Sequence, residues 1–89
     1  MEKDFIFNKL QEIIADRNSI SQSSVTMETN FRRNLNMDSL DIVEVVLEVE
    51  KTFDCSIDDD ELEKIKDVSD LVDVIYSKKW AFKKAPFFM

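Results

Sequence analysis

At 89 residues the chain supports one domain with a modest hydrophobic core, because folding at this size removes only about 60% of the unfolded surface from water. A composition 44% hydrophobic and 35% charged belongs to a folded globular protein and argues against disorder. Nineteen acids against twelve bases give a net charge of −7; with no histidine and no glycine, a Ser-His-Asp triad, a histidine zinc site, a P-loop, a dinucleotide-binding glycine loop and a standard EF-hand are all excluded.

The first periodic segment runs from about Lys3 to Asp16, where Ile6, Leu10 and Ile13, flanked by Phe7 and Ile14, form one buried stripe of a helix. From Arg17 to Met37 the pattern dissolves into a long Ser-, Thr- and Asn-rich loop carrying Ile20, Val25, Met27, Phe31 and Leu35. A loop of this length needs a function or core anchors, and Phe31 and Leu35 are the expected anchors. A second helix is predicted from Asp38 or Ser39 to about Phe53, its first-turn amides facing the oxygens of the Asp-Ser pair. DDDELEKI then predicts a short helix capped by Asp58 that buries Leu62 and Ile65, and a last helix begins near Asp67 with Val68, Leu71, Val72 and Ile75 on one face. No strand-like alternation of useful length and no internal repeat is present, so an all-α fold of three longer helices and one short one is expected.

Residues 1–77 hold eight bases against nineteen acids, a net charge of −11. Such a body repels nucleic acid and anionic membranes and attracts partners with basic docking surfaces. Residues 78–89 differ: Lys78, Lys79, Lys83 and Lys84 alternate with Trp80, Phe82, Phe87 and Phe88 and contain no acid. This stretch reads as a basic aromatic tail beside a domain at 1–77, suited to a membrane surface or a partner, or else as a helix extension or frayed end. Nothing else in the sequence supports membrane contact. An acidic N-terminus without a long apolar run, and the lack of any stretch of about 18 apolar residues, lead to the expectation of a cytoplasmic or else organelle-interior location; a monomer is expected. Cys55 stands alone and reads as a small buried hydrophobe beside Phe53 and Ile57.

The second helix carries more than the fold requires. At 100° per residue, with Ile42 at zero, Val46 falls at about 40°, Val49 at about 340° and Phe53 at about 20°, a compact core-facing stripe. A second apolar strip remains, with Val43 at about 100°, Leu47 at about 140° and Leu40 at about 160°, bordered by Glu50 on one side and by Glu44 and Glu48 on the other. One core cannot receive both strips. The spare one is either a transient docking face, where the acids orient a partner and the apolar residues give contact area, or a surface covered by the long loop or the first helix. At the start of this helix, NMDSLD places the Ser39 hydroxyl near the partial positive charge of the helix N-terminus, suited to an attached phosphodiester. Ser39 could equally be a simple N-cap.

The run FRRNLNMDSLDIVEVVLEVEKTFDCSIDDDELEKIKDVSDLVDVI, from Phe31 to Ile75, strongly resembles acyl carrier proteins of dissociated fatty-acid and polyketide systems, with D-S-L followed by an acidic helix and F-D. The resemblance implies a four-helix bundle in which Ser39 receives 4′-phosphopantetheine from coenzyme A through a phosphopantetheinyl transferase, then holds acyl groups as thioesters. It implies no catalysis by the chain itself and no resident metal. Asp38 and Asp41 match acids that engage the transferase and its magnesium. Leu40, Val43, Glu44, Leu47, Glu48 and Glu50 match partner-recognition positions for acyl-transferring and fatty-acid or polyketide synthase enzymes with basic docking surfaces. Phe31, Val46, Val49, Ile57, Leu62 and Ile65 match interior positions that part for an acyl chain.

Departures are visible as well. Asn36 stands where the family usually has glycine, and tolerates a left-handed backbone better than most residues. Asp58 stands where proline is common, and Lys51 replaces a common acid. Fatty-acid biosynthesis is the expected pathway; Lys51 and the tail point to the alternative of a specialised carrier for a polyketide, aminoacyl or lipid-modifying group. An acidic interaction module with Ser39 never modified is a further alternative, and an enzyme is a distant third because no histidine can activate Ser39.

Overall fold

The structure, a computed structural model, describes residues 2–79. Four α-helices follow one another: α1 (Glu2–Asn18), α2 (Ser39–Phe53), α3 (Asp59–Lys64) and α4 (Val68–Lys79), with a single 3₁₀ turn at Gln22–Ser24 in the long α1–α2 loop. Among the described residues the only extended pairing is an isolated bridge between Asn30 and Asp67. The expected architecture, three longer helices and one short one, is present. The aromatic part of the tail, 80–89, lies outside the described residues, whereas Lys78 and Lys79, assigned to the tail from composition, form the last turn of α4. There Lys78 Nζ pairs with Glu61 Oε1 of α3 at 2.9 Å, so this turn is tied to the bundle.

The apolar periodicities meet in one core. Ile6, Leu10 and Ile14 of α1, Val45 and Val49 of α2, and Val68, Leu71, Val72 and Ile75 of α4 are almost wholly buried, with α1 packed on both α2 and α4. Each such side chain contributes about 1.5–3 kcal/mol relative to exposure, which is how a body of net charge −11 stays folded. Phe31 and Val25 enter this core from the long loop and Met37 closes it just before α2, while Leu35, the other expected anchor, is only half-buried. Cys55 is also half-buried rather than a core residue, and burial raises its thiol pKa.

The helix ends show how a glycine-free chain turns. Ser19, Asn36 and Asp54 adopt left-handed backbone at φ 56°, 58° and 55°. At α1 the Ile20 amide donates to the Ala15 carbonyl (3.0 Å), and at α2 the Cys55 amide donates to the Glu50 carbonyl (3.2 Å), the hydrogen bonds of a Schellman ending. Asparagine, aspartate and serine stand in for glycine because short polar side chains tolerate this region best. Asn36, where the resemblance puts glycine, keeps the left-handed turn into α2.

The α1–α2 loop is pinned rather than loose. The Val68 amide donates to the Thr29 carbonyl (3.0 Å) and the Ser69 amide to the Met27 carbonyl (2.9 Å), so loop carbonyls satisfy the first amides of α4. Asp67 Oδ1 completes this cap by accepting from the Asp70 amide (3.0 Å) and the Ser69 hydroxyl (2.7 Å). On the other side Gln11 Nε2 donates to the Val25 carbonyl (2.8 Å), joining loop to α1.

Candidate functional site

Ser39 is the first residue of α2, and its hydroxyl is not what caps the helix. Asp38 does that: its Oδ1 accepts from the Asp41 amide (3.0 Å), while Asp41 Oδ2 accepts from the Asp38 amide (3.2 Å), a reciprocal capping box. Asp38, Ser39 and Asp41 are all exposed. Its Oγ accepts instead from Arg32 Nη2 of the long loop at 3.0 Å.

From Ser39 a cleft of about 620 Å³ runs between α2 and the α3–α4 segment. Ile42 and Val43 line one wall and Leu62 and Ile65 the other, while Arg32, Arg33 and Lys66, with the single acid Glu63, lie along its polar edge. An exposed hydroxyl, a basic edge and an apolar floor suit a phosphate-linked group with an apolar cargo, and the volume falls within the ~300–1,000 Å³ typical of small-ligand sites. Leu62, expected to be buried, is half-exposed because it faces this cleft. Of the expected pocket residues, Leu62 and Ile65 line the cleft; Phe31, Val46 and Val49 lie in the core behind it, and half-buried Ile57 packs against that core.

The spare strip of α2 is not covered by loop or helix. Leu40 is 65% and Leu47 51% exposed, with Val43 half-buried between the strip and the cleft. Its acidic borders are engaged more than periodicity suggested. Arg17 at the end of α1 spans two of them, Nε to Glu48 Oε1 at 3.0 Å and Nη1 to Glu44 Oε1 at 3.3 Å. Glu50 Oε2 accepts from the Ile57 amide at 2.6 Å, so this carboxylate holds the α2–α3 connection. Neither contact had a signal in the local pattern, since the partners lie 27 and 31 residues away for Arg17 and beyond the helix end for Glu50.

Comparison with known proteins bears on this arrangement. Residues 8–75 match the family described as "Phosphopantetheine attachment site". The acyl carrier protein of Lactobacillus acidophilus is 46% identical over 77 residues, covering 86% of this chain and 96% of that one. The chain belongs to the acyl carrier proteins. The Rubrobacter xylanophilus acyl carrier protein is 43% identical over 81 residues, 91% of this chain and all of its own. A solved structure of the acyl carrier protein from Enterococcus faecalis superimposes with a TM-score of 0.73 at 36% identity, covering 86% of this chain and 98% of that one. Acyl carrier proteins hold covalent phosphopantetheine, work with synthase and transferase enzymes and are carriers rather than enzymes. Among the described residues no helix of this carrier is long and apolar enough to cross a membrane.

Proposed function

We propose that this carrier is loaded at Ser39 with 4′-phosphopantetheine and serves fatty-acid biosynthesis in the cytoplasm. The observation that carries the assignment is the exposed Ser39 hydroxyl at the head of an apolar cleft, on the first turn of a helix whose outer strip is also exposed. When bound, the prosthetic group supplies a thiol that holds the cargo as a thioester. The chain's own residues do the rest. The capping box fixes the turn that presents Ser39, and the exposed residues Asp38 and Asp41 are available to a transferase and its magnesium. Ile42, Val43, Leu62 and Ile65 shelter an apolar cargo, with Phe31, Val46, Val49 and Ile57 behind them able to part for a longer chain. Leu40, Val43 and Leu47 give contact area, and Glu44, Glu48 and Glu50 the negative charge that meets a basic partner. Docking is weak by design of the surface, and each encounter becomes a tethered one of high effective concentration.

Incubation with coenzyme A and a phosphopantetheinyl transferase adds one phosphopantetheine mass to the chain, and Ser39→Ala abolishes the addition. A wild-type chain left unmodified by several such transferases would refute attachment. The pathway is tested separately, by the acyl group that copurifies and by support of a fatty-acid synthase. A specialised carrier is favoured instead by Arg17 lying across Glu44 and Glu48, with exposed Lys51 on the same face, because this lowers the negative potential that a general carrier presents.

A further inference from the structure

We infer that Arg32, supported by Lys66, is a clamp for the phosphodiester that joins the prosthetic group to Ser39; the inference rests on attachment at that residue. Arg32 Nη2 already donates to the Ser39 oxygen at 3.0 Å, so a phosphorus bonded to that oxygen brings its charged oxygens within the reach of the same guanidinium. A planar fork of donors is matched to phosphate oxygens, and a charge-assisted bond is stronger than the neutral one it replaces.

The placement is built by the backbone rather than left to a flexible side chain on a loose loop. Asn30 Oδ1 accepts from the amides of both Arg32 (3.0 Å) and Arg33 (2.8 Å), and the Asn30 amide donates to Asn34 Oδ1 at 2.7 Å. The Phe31 amide donates to the Lys66 carbonyl at 3.1 Å, which locks Arg32 beside Lys66 with buried Phe31 as the pivot.

The basic side chains on this edge also form no ion pair among the described residues. Three of the eight bases of residues 1–77 line the one cleft that opens at Ser39, in a body with nineteen acids. Among the described residues, Arg17, Lys3 and Lys78 pair with carboxylates, while Arg32, Arg33 and Lys66 have none within 4 Å. Glu63 shares the cleft and Asp38 and Asp41 flank Ser39, yet none of them pairs with these three bases, whose charged groups stay free to meet a phosphate oxygen. With the phosphodiester held on this edge, the arm is aimed along the cleft floor toward Leu62 and Ile65 rather than outward over Leu40.

The test compares apo and holo forms of the full chain, wild type, Arg32→Ala and Arg32→Lys, each holo form prepared with excess transferase and verified by intact mass. Absence of the added mass in the wild type would refute attachment itself, separately from the clamp. With attachment established, the phosphorus-31 resonance of the wild type shifts between low and high salt, and Arg32→Ala both displaces it and reduces the salt dependence. The melting-temperature gain from apo to holo shrinks by roughly 2–4 °C in Arg32→Ala at low salt, and Arg32→Lys retains part of it. An identical phosphorus resonance and an identical apo-to-holo gain in wild type and Arg32→Ala overturn the clamp. If only Arg32→Lys matches the wild type, charge suffices and the fork geometry is refuted.

Discussion

Arg17 at the end of α1 reaches across to Glu48 of α2 at 3.0 Å and touches Glu44 on the next turn, so two acids bordering the exposed Leu47 are already neutralised in part by the carrier itself. A basic partner approaching this face competes with an internal cation. Exposed pairs of this kind contribute about 0.2–1 kcal/mol, small against folding but comparable with the tuning of a weak docking event.

Arg17→Ala is therefore expected to lower the KM of the chain as a transferase substrate by about 2–5-fold at low ionic strength, with the difference fading as salt screens the acids. Steady-state kinetics at two salt concentrations check this. A KM unchanged at low salt means that the pair does not compete with partners.

Glu50→Ala separates structure from recognition on the same helix. Loss of the 2.6 Å bond to the Ile57 amide costs about 1–2 kcal/mol and lowers the melting temperature by roughly 5–15 °C. Glu44→Ala, which removes one of the two Arg17 partners, changes it by only a few degrees. Thermal denaturation monitored by circular dichroism distinguishes the two, and equal effects would mean that Glu50 does not hold the connection.

The left-handed positions offer a stability test. Ser19→Gly relieves about 1–2 kcal/mol of backbone strain, partly offset by the greater freedom of glycine in the unfolded chain, and is expected to raise stability by up to about 1 kcal/mol. Ser19→Val is expected to lower it by about 1 kcal/mol or more, because a β-branched residue fits this region poorly. Urea denaturation reads both.

The α4 cap sets an acid dependence. Asp67 is held below the usual carboxylate range, chiefly by the Ser69 hydroxyl and further by the Asp70 amide. Its folded pKa is depressed, so the stabilisation is fully present above the unfolded value near pH 4 and is lost as pH falls through the lower folded value. Asp67→Asn is expected to be less stable at pH 7 and to lose less of its remaining stability below about pH 4 than the wild type. Melting temperatures measured from pH 7 to pH 2.5 show this as converging curves; parallel curves would refute it.

Local periodicity was enough for the helices, because Ile42, Val46, Val49 and Phe53 lie within one narrow arc and all are buried, as are Val68, Leu71, Val72 and Ile75. The same wheel set Leu40 and Leu47 apart from the core stripe but left open whether loop or first helix covers them, and Asn36 marked a left-handed turn only because the resemblance puts glycine there. Long-range partners were not legible. Arg17 meets acids 27 and 31 residues on, Glu50 turns from border acid to loop tether, and Arg32 reaches Ser39 only because Phe31 is pinned to Lys66. Lys78 and Lys79 were grouped with the tail by composition, although the helical stripe ending at Ile75 has one more turn in which Lys78 can reach Glu61.

The loop carbonyls that receive the first amides of α4 make those amides a gauge. If the segment around Thr29 lifts to let a long cargo enter, Val68 and Ser69 lose their acceptors at the same moment, and their protons become open to solvent exchange. Amide exchange at these two positions, compared between empty and loaded carrier, thus reports how often the long loop releases the start of α4, beside the cleft that opens at Ser39.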